Sequence, residues 1–351
     1  MRNKKRHINI PIFIPHLGCP NMCVFCNQRL ISGQMAFEKE SVRGLIEEAL
    51  ATVPVDADIE IAFFGGSFTG VDRELMVYLL DTAEEYVCLG KVIGIRLSTR
   101  PDYISREILD ILKKYAVKTI ELGIQSMDNS VLAASRRGHN ADITREACRL
   151  VREYGFELIG QMMIGLPGAD TISECQTAEE ICAMGAVGAR VYPTVVFKGT
   201  ELLDMTNAGN YTPLDTESAV LRTKNVLAVF EKYGLPVIRV GLCASENLAS
   251  DDAVAGATHS AIGELAMGEL YYDIICQEFE KNKVIDGQAI IAVPRGETSK
   301  AVGQKKRNLL RFKDKYKVLV SFIEDDALSV YKIKIMSYIP KGGRKNVPEI
   351  T

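Results

Sequence analysis

The chain has 351 residues, 47% of them hydrophobic and 25% charged, with a net charge of −3, nine cysteines and no tryptophan. These fractions belong to a folded globular protein and exclude general disorder, a collagen-like chain and a disulfide-dense miniprotein. No apolar run reaches the roughly 18–20 residues that span a bilayer, so no membrane partner is expected.

The basic start, MRNKKRHINIPIFIP, carries an apolar stretch broken by Pro11 and Pro15 and has no small-residue cleavage site. It does not read as a signal peptide, so a cytoplasmic location is expected. There, cysteines serve as thiols or metal ligands rather than as structural disulfides. From residue 8 to about 240, short β-branched runs alternate with longer helical patterns. In chain order they are strand His7–Ile14, helix 38–53, strand Ile59–Phe64, helix 72–89, strand Val92–Ser98 and helix 104–116. Next come strand Thr119–Ile124, helix 141–154, strand Leu158–Ile164, helix 171–184, strand Ala189–Val196, helix 215–233 and strand Val237–Val240. Asp72 and Ser105 are placed as N-caps, and Gly90, Gly155 and Gly234 lie just past helix ends.

Strict βα alternation predicts parallel strands joined by right-handed crossovers. The fold class is α/β, and six or seven units make a partial or full parallel (β/α) barrel over residues 1–242. In such barrels the chemistry sits at the C-terminal ends of the strands. Those ends read Gly65-Gly66-Ser67, Ser98-Thr99-Arg100-Pro101, Gln125-Ser126, Gly165-Leu166-Pro167-Gly168 and Tyr192-Pro193. Residues 243–351 are expected to form a C-terminal extension. It comprises a mobile linker over 244–263 around His259, a helix at 264–282 and strand-like runs at 289–293, 317–323 and 328–336, a small α+β unit.

Charge is unevenly distributed. Residues 287–351 hold 14 Lys and Arg against 6 Asp and Glu, whereas the rest of the chain is acidic. The densest basic run, Lys300 to Lys317, interleaves Lys305, Lys306, Arg307, Arg311, Lys313 and Lys315 with Phe312 and Tyr316. Basic residues beside aromatics hold a polyanion backbone and stack on bases; the alternative is a solvated face balancing an acidic domain.

The strongest chemical signal is HLGCPNMCVFCNQ, in which Cys19, Cys23 and Cys26 are spaced C-x3-C-x2-C directly after the first strand. Three thiolates on one short loop select an iron–sulfur cluster, zinc or copper(I). A structural zinc site takes a fourth ligand, for which His16 is the nearest candidate. A [4Fe–4S] cluster commonly takes four cysteines, so three would leave one iron open for a small ligand. Phe25 adds apolar bulk that excludes water. The other cysteines (Cys88, Cys148, Cys175, Cys182, Cys243 and Cys276) read as small buried hydrophobes.

This cysteine spacing, with an aromatic before the last cysteine at the end of a first barrel strand, resembles the signature of radical S-adenosylmethionine (SAM) enzymes. Further blocks are GGSFTG (65–70), STRPDY (98–103), ELGIQS (121–126), RRGH (136–139), MMIGLPG (162–168), VYPTVVFKGTEL (191–202) and VIRVGL (237–242). Together they resemble the catalytic subunit of Elongator and its prokaryotic relatives; ELGIQS and RRGH are also similar to oxygen-independent coproporphyrinogen dehydrogenase. Two departures stand out. Ser67 replaces an acidic residue, and the 109 or so residues after the barrel lack an evident acetyl-coenzyme A loop, so acetyl transfer is not expected.

The resemblance implies that Cys19, Cys23 and Cys26 hold a [4Fe–4S] cluster whose fourth iron is chelated by SAM. One-electron reduction then yields a 5′-deoxyadenosyl radical. It further implies that Gly65, Gly66 and Ser67 receive SAM, that Ser98, Arg100, Gln125 and Gln161 reach its carboxylate and ribose, and that Tyr192 and Pro193 flank its adenine. His139, Lys198 and Arg239 fall in matched blocks, but no catalytic residue is singled out. The implied partners are RNA, most directly tRNA, through the basic C-terminal segment, and a reductant such as flavodoxin or ferredoxin. A small metabolite such as a tetrapyrrole is the alternative substrate, and a non-enzymatic metal-binding or redox-sensing module the alternative role.

Overall fold

Each apolar run expected between residues 7 and 240 is extended in the computed structural model, which describes residues 6–14, 17–19, 23–27, 37–54, 56–242 and 252–342. The elements run β1 (His7–Ile14), α1 (Val42–Thr52), β2 (Asp58–Gly65), α2 (Arg73–Cys88), β3 (Gly94–Thr99), α3 (Arg106–Leu112) and β4 (Val117–Gln125). They continue with α4 (Asn129–Ala134), α5 (Ala141–Glu153), β5 (Glu157–Ile164), α6 (Thr171–Ala183), β6 (Gly188–Pro193), β7 (Val195–Phe197), α7 (Glu201–Asn207), α8 (Thr216–Lys232), β8 (Val237–Val240) and β9 (Ala253–Gly256). Last come α9 (Ile262–Lys281), β10 (Gly287–Pro294), α10 (Thr298–Val302), α11 (Arg307–Tyr316), β11 (Val318–Asp325) and β12 (Lys334–Pro340). No helix of the described residues is long and apolar enough to cross a membrane.

Seven strands form one parallel sheet in the order β1-β2-β3-β4-β5-β6-β8. β1 and β8 are its two edges, so of the partial and full barrels expected, the chain builds the open, curled half-barrel. The expected caps are in place. Asp72 accepts from the backbone N–H groups of Glu74 and Leu75 at 2.9 and 3.4 Å, and Ser105 accepts from Ile108 N–H. We expect Asp72→Ala to lower stability by about 1 kcal/mol, read from the shift of a denaturant midpoint. Gly90, Gly155 and Gly234 end their helices with positive φ, the backbone region that glycine enters without a Cβ penalty.

The structure departs from the sequence expectations at several places. The run Ala189–Val196 is two strands. Pro193 brings no N–H to a ladder, and Thr194 turns the chain by bonding Ile164 O through both its N–H and its hydroxyl, after which β7 pairs antiparallel with β9. The short helices α4, α7 and α10 lie in stretches too brief to show a helical period. The strand expected at 328–336 is β12, at 334–340. Of the cysteines expected to be buried, Cys148 and Cys276 are, but Cys88 is exposed and Cys175 and Cys182 are half-buried on their helices; Cys243 lies outside the described residues.

The chain divides into two compact units, Met1–Asp215 with Tyr233–Ser260, and Thr216–Lys232 with Ala261–Thr351. Helix α8, grouped with the barrel core in the sequence, thus belongs with the second unit. There Lys224 on α8 donates to Asp273 on α9 at 2.6 Å. The second unit also holds a three-stranded sheet, β11-β10-β12, packed on a core of Tyr271, Ile275, Phe279, Ile291, Val293 and Phe312. Phe312 is fully buried and Tyr316 nearly so. The interleaved aromatics of the basic run are therefore core residues and not base-stacking platforms: on a helix, positions 312 and 316 share one face, and that face is turned inward. Arg307 and Arg311 pair with Glu269, and Lys315 with Glu280. Lys305, Lys306 and Lys313 stay exposed.

Candidate functional site

Along the half-barrel strands the two faces differ in burial. Gly160 marks the helix-packed face, since a Cβ there would lie 2.6 Å from the Ile181 side chain on α6. Residues sharing that face, such as Leu97, Leu122, Ile124, Met162, Ile164 and Val191, are fully buried. On the opposite face Phe64, Ser98, Gly123, Gln161, Met163, Tyr192 and Arg239 are half-buried. They fall in cross-strand register, Gly123 beside Gln161, Gln161 beside Arg190 and Met163 beside Tyr192. An alternating strand that is buried on one face and half-open on the other, repeated across the sheet, makes a concave accessible surface.

Deeper on this face lies a chain of buried charges. Arg96 donates to Glu60 at 3.0 Å and to Glu121 at 3.1 Å. Arg190 completes it with contacts of 3.0 and 2.6 Å to the two Glu121 oxygens. His7 Nε2 lies 3.3 Å from Glu60, and the Arg190 guanidinium lies 5.4 Å over the Phe64 ring. The charges alternate in sign, which is how four ionised groups tolerate burial together.

The cysteine loop is held against the end of β2 by backbone fit. A Cβ on Gly18 would meet Ser67 O at 2.2 Å, and one on Gly66 would meet Leu17 O at 2.0 Å. Gly66 N–H bonds Ile14 O and Ser67 N–H bonds Leu17 O; Gly65 has φ +103° with Ile14 backbone 3.0 Å from its Cβ position. The missing side chain of Gly66 thus admits the start of the cysteine loop, and that of Gly65 admits the end of β1. On the loop's other side Val24 is buried against Val196, Leu202 and Tyr211, with Phe25 packed on the same cluster, and its carbonyl accepts from Leu202 N–H at 2.8 Å.

Cys23 is buried, whereas Cys19 and Cys26 are half-buried, and no disulfide joins the described cysteines. The Cys23 sulfur accepts from Arg137 Nη1 at 3.2 Å and lies 4.0 Å from Arg100 Nη1. Burial pushes the Cys19 thiol up, opposed by the nearby charges of Arg100 and Arg137. Among the described residues no three His, Cys, Asp or Glu converge on one ion-sized point. His16, the fourth ligand of the zinc alternative, lies outside the described residues.

Arg100 is bidentate to Asp102 at 2.9 and 2.8 Å and also donates to Arg137 O. Burial works against ionisation of Asp102, but the Arg100 fork outweighs it and holds the carboxyl below its usual range. His139 is buried, with Nδ1 3.4 Å from Thr144 Oγ1; burial and then Arg137 hold its imidazole down at about 4, so it is neutral near pH 7. Among the described residues, the buried Gln125 Oε1, Ser135 Oγ, Arg137 Nε and His139 Nε2 have no partner. Gln125 also has φ +68°, a strained backbone for a non-glycine residue, at a register break in the β4–β5 ladder. Orphaned buried groups cost about 1–3 kcal/mol each, and a bound water, ion or ligand is one way such a cost is met.

The structure thus gathers Cys19, Cys23, Arg100 and Ser67 at one end of the half-barrel, and places Ser98, Gln161 and Tyr192 on its concave face. Ser67 is fully buried, its hydroxyl 2.7 Å from Thr99 Oγ1 and accepting from Arg100 N–H, so it ties β2 to β3. Lys198 is exposed, 3.6 Å from Asp252. Arg137 was not singled out in the sequence; its place in the RRGH block was its only signal, because a side chain reaching a cysteine 114 residues away leaves no local pattern.

Comparison with known proteins gives matches over most of the chain. The Radical SAM superfamily profile matches residues 13–179, and the Radical_SAM C-terminal domain profile matches residues 186–272. The chain is 30% identical over 244 residues to an uncharacterized protein of Methanocaldococcus jannaschii, covering 66% of this chain and 74% of the relative. It is 25% identical to human Elongator complex protein 3, over 60% of this chain and 42% of that protein. It is 29% identical to the tRNA uridine(34) acetyltransferase of Methanocaldococcus jannaschii, over 46% of this chain and 34% of that protein. The match thus spans less than half of the last two relatives. Among solved structures, the Methanocaldococcus infernus Elp3 with an N-terminal deletion superposes with a TM-score of 0.59 at 21% identity, over 80% of this chain and 64% of that one, a likeness of fold.

Proposed function

Because this chain belongs to the radical SAM superfamily, we propose that it is a radical SAM enzyme whose substrate is RNA, a tRNA base in particular. When bound, the reduced [4Fe–4S] cluster and SAM supply a 5′-deoxyadenosyl radical that removes hydrogen from an unactivated carbon.

The chain's own residues bind, orient and shield. Cys19, Cys23 and Cys26 are the residues that would hold the cluster. Ser98, Gln161 and Tyr192 line the concave face toward SAM and substrate, and the unpartnered Gln125 Oε1 accepts a hydrogen bond from a bound hydroxyl or amine. The fork of Arg100 is already filled by Asp102, so it braces the loop instead of clamping a carboxylate. Ser67 and Gly66 act the same way. Val24 and Phe25 close the apolar side of the loop and keep water from the cluster. A low-potential donor of the flavodoxin or ferredoxin type supplies the electron.

The RNA reading rests on the relationship to a tRNA uridine(34) acetyltransferase, and the exposed Lys305, Lys306 and Lys313 on the second unit are compatible with it. Reduced, reconstituted protein incubated anaerobically with SAM and fractionated cellular RNA should form more 5′-deoxyadenosine with tRNA than without. Mass analysis should then find one altered nucleoside. Replacing the three lysines with glutamine should flatten the slope of log affinity against log salt by up to about three. If no RNA fraction stimulates SAM cleavage and no tRNA is retained, the substrate is not RNA; stimulation by a small metabolite instead would identify the other class.

A further inference from the structure

We propose that Arg137 sets the reduction potential of the cluster, as the fixed positive charge at Cys23. Two guanidiniums approach this sulfur, and they differ in kind. Arg100, at 4.0 Å, is neutralised by its two bonds to Asp102. Arg137, at 3.2 Å, spends its other terminal nitrogen on Gly123 O at 2.6 Å. It meets no carboxylate among the described residues, and it is only 6% exposed. A buried charge without a counterion costs several kcal/mol, so the native state of this site includes an anion beside Arg137. Cys23 as a cluster thiolate is the group in contact.

The backbone fixes this arrangement. Arg136 and Gly138 on either side adopt positive φ. Arg137 N–H bonds Leu132 O at 3.0 Å, and the Arg137 carbonyl accepts from Arg100. The side chain therefore leaves the end of α4 in one direction, toward the cysteine loop.

Reduction adds one electron, delivered by an external low-potential donor, and breaks no bond. A nearby positive charge and an N–H···S hydrogen bond stabilise the added negative charge, and both are recognised determinants of cluster potential. Arg137 therefore makes the cluster easier to reduce. This inference rests on the cluster alone and not on the RNA substrate.

The test is a potentiometric titration of the reconstituted protein followed by electron paramagnetic resonance, with neither SAM nor RNA present. Iron content is measured in parallel. In Arg137→Gln the ratio of reduced to oxidised cluster at fixed solution potential should fall about tenfold, which is about 59 mV for a one-electron couple. Arg137→Lys, which keeps the charge and loses the fork, should fall between. Asp102→Asn, which frees the charge of Arg100, should shift the potential the opposite way. An iron-loaded Arg137→Gln with an unchanged midpoint overturns the proposal. If Arg137→Gln takes up no iron, an unshifted midpoint in a loaded Arg137→Lys, which loses the contact to Cys23 made by the fork, overturns it equally, and a downward shift supports it.

Discussion

Replacing any one of Cys19, Cys23 or Cys26 with serine should leave a colourless protein that cleaves no SAM. Iron after anaerobic reconstitution should drop from about four per chain to a small residue. Formation of 5′-deoxyadenosine should fall at least about 100-fold, since even losses in the shell around a metal ligand cost 10–100-fold. Serine preserves size and removes only the soft ligand, so the fold is spared. Its melting temperature should match that of the unloaded parent. Cys23 sits deepest, buried beside Arg137; Cys19 and Cys26 are half-buried. Position should not matter, because each of the three thiolates would be a ligand to the cluster. The same change at Cys88, Cys175 or Cys182 should leave iron content and turnover untouched. A colourless parent holding one zinc would refute the cluster assignment outright.

Glu121→Ala should be the most destabilising single change in the half-barrel, by about 3–5 kcal/mol. Glu121 is 1% exposed and bonds Arg96 and Arg190 together. Its removal leaves two guanidiniums facing each other in a buried layer where, among the described residues, Glu60 serves one of them. The loss is that of an uncompensated charge, not the intrinsic worth of a salt bridge, so Glu121→Gln should cost less. Guanidinium denaturation of the parent and both variants measures this. A loss below about 1 kcal/mol, the centre of the distribution for ordinary substitutions, would show that water reaches this layer.

Much of the architecture was legible because it rests on local periodicity. The β-branched run His7–Ile14 and the strand Val237–Val240 fall where expected, and Asp72 and Ser105 cap their helices. Short helices such as α4 and α7 were not legible, since one or two turns stabilised by tertiary packing carry too few residues to show a 3.6-residue period. The basic run illustrates a different limit. Its charge was plain, but whether Phe312 and Tyr316 faced solvent or core depended on α9 and β10, which supply the rest of their apolar surroundings.

The candidate site divides along the same line. The sequence by itself determined which chemistry is available: three thiols on one short loop after a first strand, and glycines at the end of the second. Those are matters of spacing and residue type. Only the tertiary structure decided which side chains surround them. It turned Arg100 into a brace by placing Asp102 in its fork, committed the Ser67 hydroxyl to Thr99, and brought Arg137 to Cys23 across 114 residues of chain. The physical reason is that a soft-metal loop is a local object, formed by neighbours in sequence. The charge that surrounds it is a sum over side chains that parallel strands and crossover helices bring together from distant parts of the chain.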